Sequence, residues 1–343
     1  MRPLERLQKE SFIISNLTLA LVVLFSLAPE RLHSQTHFKV GFYNVENLFD
    51  TQDDPLTDDD EYTPKSVKEW NELRLSRKID SLAKVIAAMD ADVLGLCEVE
   101  NEAVLKLLVQ RPSLKKKAYQ FVHYNSRYSR GADVAMLYSP RSFQVLHSQP
   151  YPLHFEFDTA ATTRDILYVR GLVHKKDTLH LLVNHWPSRR NEEIYRLRAA
   201  KEVKKIIAAQ KIKNSLIIIG DFNDEPFNES IYNVLQARGK LEDTPEDGFF
   251  NPFYALAKEQ KLGTHSYRGH WNLLDQAMLS PNLVRENGKW RYKVGSATIF
   301  SPSWLKNKYN EPYRTYTGDR YSGGFSDHFP IFITLEKNNG CIR

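Results

Sequence analysis

The sequence predicts an α/β fold, and three observations carry that prediction. Short apolar runs rich in β-branched residues recur along the chain, Ile217-Ile218-Ile219 among them, as in strands buried on both faces. Between them lie longer segments whose apolar residues return every three or four positions, which marks helices with one buried face. The composition is globular: 343 residues, 42% hydrophobic and 26% charged, without a Gly/Ser linker or internal repeat. Chains of this size occur as single α/β domains.

The first segment is set apart from the fold. Arg2, Arg6 and Lys9 precede the apolar stretch Phe12–Ala28, and polar residues follow up to Gln35. That order predicts a secretory signal peptide over residues 1–35, with an uncleaved membrane anchor as the alternative reading, and an exported (periplasmic or secreted) protein. No later stretch is long and apolar enough to span a membrane. One catalytic-size domain is expected over residues 36–338, followed by a tail over 339–343. A net charge of +5 permits a polyanionic substrate without demanding one. With only Cys97 and Cys341, no disulfide framework is expected, and Cys97 in its apolar run reads as a small buried hydrophobe.

In chain order, Phe38–Tyr43 reads as a strand that delivers Asn44 and Glu46, two residues apart. Residues 50–61, DTQDDPLTDDDE, read as a solvated acidic loop; the density of carboxylates admits Ca²⁺, but the glycine of an EF-hand loop is missing. Leu75, Ile79, Leu82, Ile86 and Met89 predict a helix over 66–89. Asp92–Cys97 is a buried strand that ends on Glu98, a carboxylate in need of a cation or a donor. Arg130-Gly131-Ala132-Asp133 leads into the strand Val134–Tyr138. Ile166–Val173 and Thr178–Val183 read as a hairpin whose second arm ends at Asn184-His185-Trp186. A helix follows over 192–210, with Ile194, Leu197, Val203 and Ile207 on one face. The strand Ser215–Gly220 then runs into Asp221 and Asn223, which alternation would aim at one spot. Leu273–Leu279 carries Asp275 inside an apolar strand, and Asp327-His328 precedes the strand Ile331–Leu335.

Oxygen and imidazole groups therefore stand at the end of one strand after another. Strands meeting at one rim would gather them into a single site, with carboxylates for Mg²⁺ or Mn²⁺, a base, and donors for a phosphate. The alternative for each residue alone is ordinary: a turn former, a solvated charge, or a packing histidine. Walker loops, GxSxG elbows and zinc-type Cys/His spacings are all missing, which excludes those enzyme classes.

Taken together, YNVENLFD, LGLCEVEN, RGADVAMLY, NHWPSRR, IIGDFNDEP, LLDQAML and SDHFPI resemble the endonuclease/exonuclease/phosphatase superfamily, the group of pancreatic deoxyribonuclease, from about Phe38 to Glu336. The resemblance implies a four-layered sandwich of two packed mixed β-sheets flanked by helices. It implies Glu98 as the main metal ligand, with Asn44, Glu46 and Asp327 supporting metal and phosphate. Asp221 is implied as the acid/base that activates water, Asn223 as its neighbour, and His185 and His328 as phosphate-facing histidines. Asp275 would orient His328, and Asp133 would orient His185. Arg130, Asp133, Arg189 and Arg190 are placed toward the substrate. Mg²⁺ or Mn²⁺ is the implied cofactor. No tyrosine lies within Arg130–Asp133, which sets the chain apart from the abasic-site branch. A nucleic-acid phosphodiester is the first expected substrate and a lipid or small phosphoester the alternative, with no obligate protein partner; a non-enzymatic binding module is the third reading.

Overall fold

A computed structural model describes residues 37–285 and 288–338. The expected signal segment over 1–35 and the tail over 339–343 lie outside the described residues. In chain order the strands are β1 (His37–Leu48), β2 (Val93–Val99), β3 (Gln120–His123), β4 (Asp133–Tyr138), β5 (Phe143–Tyr151), β6 (Ile166–Val173), β7 (Asp177–His185), β8 (Leu216–Asp221), β9 (Ala237–Arg238), β10 (Phe249–Phe250), β11 (His265–Tyr267), β12 (His270–Asn272), β13 (Asp275–Leu279), β14 (Trp290–Tyr292), β15 (Thr298–Ile299), β16 (Tyr316–Thr317), β17 (Arg320–Tyr321) and β18 (Ile331–Lys337). The α-helices are α1 (Glu72–Met89), α2 (Glu102–Val109), α3 (Glu193–Ala209) and α4 (Phe253–Lys258).

Two seven-stranded mixed sheets form the centre. One runs β14-β18-β1-β2-β4-β3 with β15 beside β18; the other runs β5-β6-β7-β8-β13-β10-β9. Each holds one parallel pair among its long strands, β1 with β2 and β7 with β8, because α1 and α3 carry the chain back between them. The inner faces meet in a core that joins Phe42, Val93 and Met136 to Val183, Ile217, Ile219 and Ala277. Helices α1 and α2 cover the outer face of the first sheet through Leu82, Ile86 and Leu105. The other outer face is covered by α3 through Ala199, Val203 and Ile206, packed on Leu182 and Ile218. The result is the four-layered sandwich expected from the sequence.

Local rules explain the elements. Asn71 caps α1 by accepting from the Arg74 N–H, and Asn101 caps α2 by accepting from Ala103 and Val104. The whole of β8 is buried, as its unbroken apolar run requires. The face of α3 differs from expectation: Ile194 is exposed, whereas Arg196 is buried on the inner side. Its guanidinium pairs at 2.8 Å with the buried Asp224 carboxylate, so a charged residue takes the place that apolar periodicity assigned elsewhere.

Candidate functional site

Strand direction assembles the site. Asn44, Glu98, His185 and Asp221 lie toward the carboxyl ends of β1, β2, β7 and β8, the two parallel pairs at the centre of the two sheets. Asp275 opens β13 and stands opposite Asp221 in antiparallel register. His328 lies just before β18, which runs antiparallel to β1 and so begins where β1 ends. Gly220 keeps this corner tight, because a Cβ there would meet the Asn184 carbonyl oxygen at 2.3 Å and force β7 from β8.

Asn44 is the bridge between the sheets. Its amide nitrogen donates to Glu98 Oε1 at 3.2 Å and to Asp221 Oδ2 at 3.1 Å. The second Glu98 oxygen accepts from the Asn47 N–H at 2.9 Å. Glu98 does not follow its strand as expected but lies inside β2, at a bulge where pairing to β4 slips between Cys97 and Val99. Its φ of 63°, with Glu46, Asn47 and Asn223 at 51°, 51° and 50°, puts four site residues in left-handed backbone. Each such residue costs about 1–3 kcal/mol, which the surrounding fold must supply.

Those bulges correct two sequence expectations. Alternation would aim Asn44 and Glu46 at one spot, but the left-handed turn at Glu46 breaks the alternation. Asn44 faces Glu98 and Asp221, whereas Glu46 Oε2 accepts from the Thr315 N–H at 2.6 Å and lies 3.7 Å from Lys78 Nζ. Likewise Asp221 and Asn223 diverge: the Asn223 amide donates to the Trp186 carbonyl at 3.0 Å, while its own N–H donates to Asp221 Oδ1 at 2.9 Å. Asn223 thus holds the carboxylate from behind.

The two histidines carry opposite charge states. His328 Nδ1 bonds Asp275 Oδ2 at 2.7 Å and its Nε2 lies 3.9 Å from Asp221 Oδ2. Burial alone would lower its pKa, but Asp275 and Asp221 together raise it well above the usual histidine range. The pairing with Asp275 matches the expectation. His185 Nε2 lies 3.7 Å from Asp221 Oδ2 and 4.0 Å from Glu98 Oε1. Burial, then Arg164, His328 and Arg130, push it well below the usual range, so this imidazole is neutral. The expected Asp133 partner is not there. Asp133 accepts from the Ser126 N–H and hydroxyl, and His185 Nδ1 has no hydrogen-bond partner among the described residues. Ser126 is near in sequence and captures the carboxylate first. Asp133, being buried on that bond, is not a substrate-facing group either. Asp221 itself is pushed up to about 6, by burial first and Asp275 second among the raising causes, with His328 opposing.

Of the arginines, Arg130 donates to Asn47 Oδ1 at 3.0 Å and thereby backs the loop that holds Glu98. Arg189 donates to the Asn223 carbonyl at 2.8 Å and to Asn272 Oδ1 at 2.7 Å, while Arg190 is exposed beside it. Asp327 is grouped with His265 and His328, their ligand atoms within 4.8 Å of one another. Sequence reasoning missed His265, Lys78, Arg164 and the Arg196–Asp224 pair. A signal existed for Lys78 alone: it stands three after Leu75 and four before Leu82, on the apolar stripe of α1.

The donor set fits a hard divalent cation. Asp221 and Asp275 meet at His328, Glu98 and Asp221 share the Asn44 amide, Asp327 lies with His265 and His328, and Asp275 Oδ1 is buried without a partner among the described residues. Carboxylates so crowded are costly unless a cation offsets them. The Glu98 side chain, 16% exposed against 2% for Asp221, is the more accessible oxygen.

Residues 39–337 match the family described as Endonuclease/Exonuclease/phosphatase family. The chain belongs to this family. Membership makes it a hydrolytic, metal-dependent phosphoesterase of the nuclease and phosphatase kind. Among solved structures it is similar to a humanized D. rerio TDP2, with TM-score 0.56 and 17% identity over 88% of this chain and 100% of that one. It is also similar to the human Nocturnin catalytic domain, with TM-score 0.55, 16% identity, and coverage of 88% and 95%. A mannosyl-6-phosphatase from Bacteroides thetaiotaomicron gives TM-score 0.56, 14% identity, and coverage of 87% and 99%. At these identities the likeness speaks for the fold alone. No curated protein sequence matches the chain.

Proposed function

We propose that this family member cleaves phosphodiesters by direct attack of water, with Asp221 as the base and His328 and His185 as donors to the phosphoryl oxygens. The observation that supports this most is the placing of Asp221 Oδ2, 3.7 Å from His185 Nε2 and 3.9 Å from His328 Nε2, so that one base and two imidazoles bracket one spot. Asp221 is held on both oxygens, by Asn223 N–H and Asn44 Nδ2. It is ionised at neutral pH yet close enough to its pKa of about 6 to accept a proton. The imidazolium of His328, kept charged by Asp275, offers an N–H and a positive charge to a phosphoryl oxygen. Neutral His185 offers one N–H and no charge. Glu98 would hold Mg²⁺ or Mn²⁺, and the ion when bound supplies positive charge against the phosphate.

Nucleic acid is the first substrate class of this proposal. Arg189 and Arg190 follow His185 by four and five residues and stand exposed, where they would meet backbone phosphates. A second reading, a small or lipid phosphoester, is favoured by an acidic wall beside the Arg130 segment. There Asp53, Asp54, Asp58, Asp60 and Glu61 are exposed on a loop tied to the Arg130 segment by the Asp58 N–H bond to the Ser129 carbonyl. A long polyanion crossing that wall would be repelled. One panel tests both: nucleotide release from DNA and RNA beside phosphate release from sugar, inositol and lipid phosphoesters, with Mn²⁺, for the full chain and Asp221→Asn. Equal turnover of any substrate by both proteins would sink the assignment of Asp221. Export is proposed from the basic, apolar, polar order of residues 1–35. N-terminal sequencing of the mature product should return a start near Gln35, and a start at Met1 would favour the anchor.

A further inference from the structure

Lys78 is buried to its tip: its side chain is 0% exposed, although α1 has a solvent face on which a lysine would ordinarily lie. Its ammonium donates to Thr315 Oγ1 at 2.5 Å and to the Phe325 carbonyl at 2.6 Å, and lies 3.7 Å from Glu46 Oε2. An ammonium has three N–H groups; two are used in these hydrogen bonds, and the charge pairs with Glu46 as an ion pair. The same few residues are laced to one another. Thr315 N–H donates to Glu46 Oε2 at 2.6 Å, Ser326 Oγ to the Asn44 carbonyl at 2.6 Å, and His328 N–H to Ser326 Oγ at 3.1 Å. Four separate segments thus meet on one nitrogen: α1, the bulged end of β1, the stretch around Thr315, and the turn Phe325–His328. Burial lowers the Lys78 pKa, and the Glu46, Asp327 and Glu98 charges oppose that.

An unpaired ammonium at this depth would cost several kcal/mol, and removing one partner of a buried pair is more damaging than never having built it. Glu46 and Asp327 are like charges: Asp327 raises the Glu46 pKa, and Lys78 opposes burial at both carboxyls. A fixed cation 3.7 Å from Glu46 relieves that repulsion without any bound ion.

We propose that Lys78 is a built-in counter-cation: it offsets the charge of Glu46 and Asp327 from below, locks the β1 bulge to the Asp327-His328 turn, and leaves the divalent ion to the Glu98 side. Glu46 is then a positioning residue acting through Lys78, not a ligand. This rests on the reading of the site as a metal-dependent phosphoesterase.

The test uses the full chain, Mn²⁺ as the probe, and the variants Lys78→Met, Glu46→Gln, their double, and Glu98→Gln. Metal-free melting reads the counter-charge. Lys78→Met should melt well below the parent, and the double variant should recover most of the loss because the stranded carboxylate is gone. Calorimetric titration reads the ligand. Glu46→Gln should weaken Mn²⁺ binding by no more than about tenfold, the range of a supporting residue, and Glu98→Gln by about 100-fold or more. Electron paramagnetic resonance should count one more Mn²⁺ on Lys78→Met than on the parent, since the ion can take the vacated place between two acids. Should Lys78→Met fail to fold, recovery in the double variant still decides. The proposal is overturned if Glu46→Gln loses Mn²⁺ as severely as Glu98→Gln, or if metal-free Lys78→Met melts with the parent. A parent chain that binds no Mn²⁺ at all would instead count against the metal-dependent reading, and the melting comparison would still decide the role of Lys78.

Discussion

Replacing Asp275 by Asn removes a charge and almost no volume, and two neighbours should feel it in the same direction. His328 loses the carboxylate bonded to Nδ1 at 2.7 Å, the first of the groups that raise its pKa. Asp221, opposite Asp275 in register, loses a negative neighbour that raises its own. A charge-assisted bond of this kind is worth about 1.5–3 kcal/mol. Loss of about 2 kcal/mol from the transition state is roughly a 30-fold fall in kcat/KM, approaching about 100-fold if the imidazolium is no longer present. The pH profile separates this from mere damage. His328 must be protonated, so activity falls as pH rises through its folded pKa; Asp221 must be ionised, so activity falls as pH drops through about 6. In Asp275→Asn both limbs should move to lower pH, the basic limb toward the ordinary histidine value of about 6.5. The assay is kcat/KM against pH for the Mn²⁺-loaded protein on an activated phosphodiester, beside circular dichroism to show an intact fold. A variant with wild-type rate, or with a reduced rate and unmoved limbs, would refute the orienting role of Asp275.

Other outcomes follow from the same geometry. Glu98→Gln should lower hydrolysis by orders of magnitude along with metal affinity, and calorimetry showing unchanged Mg²⁺ or Mn²⁺ binding would remove Glu98 from the site. His185→Ala and His328→Ala should each cost about 3 kcal/mol of transition-state stabilisation, and the double variant less than the sum, as for groups acting as a unit; strict additivity in single-turnover rates would contradict that. Away from the site, His123 is buried with Nε2 unpartnered among the described residues, and burial lowers its pKa to about 4. Its neutral form therefore favours the fold above pH about 6.5, and that contribution is lost as pH falls toward 4, up to roughly 3 kcal/mol. Urea unfolding of metal-free His123→Leu should show a smaller loss of stability between those pH values than the parent, and parallel curves would argue against it.

Much of this protein is decided by local chemistry. The apolar run at Ile217–Ile219 can only be a strand buried on both faces, and Leu75, Ile79, Leu82 and Ile86 can only be one side of a helix, because those periods follow from backbone geometry. The residues at the ends of such strands were legible for the same reason: a carboxylate directly after an apolar run has few places to go. Direction was not legible. Alternation places Asn44 with Glu46 and Asp221 with Asn223, yet the left-handed residues at Glu46 and Asn223 turn each pair apart. Nothing local distinguishes a residue that will be forced to positive φ from one that extends a strand; packing of the second sheet decides it. Partners separated by long stretches of chain were equally hidden. Lys78 meets Glu46 and Phe325, and Arg196 meets Asp224. Each choice compares the free energy of competing buried contacts, and those contacts exist only once both sheets have closed on one another.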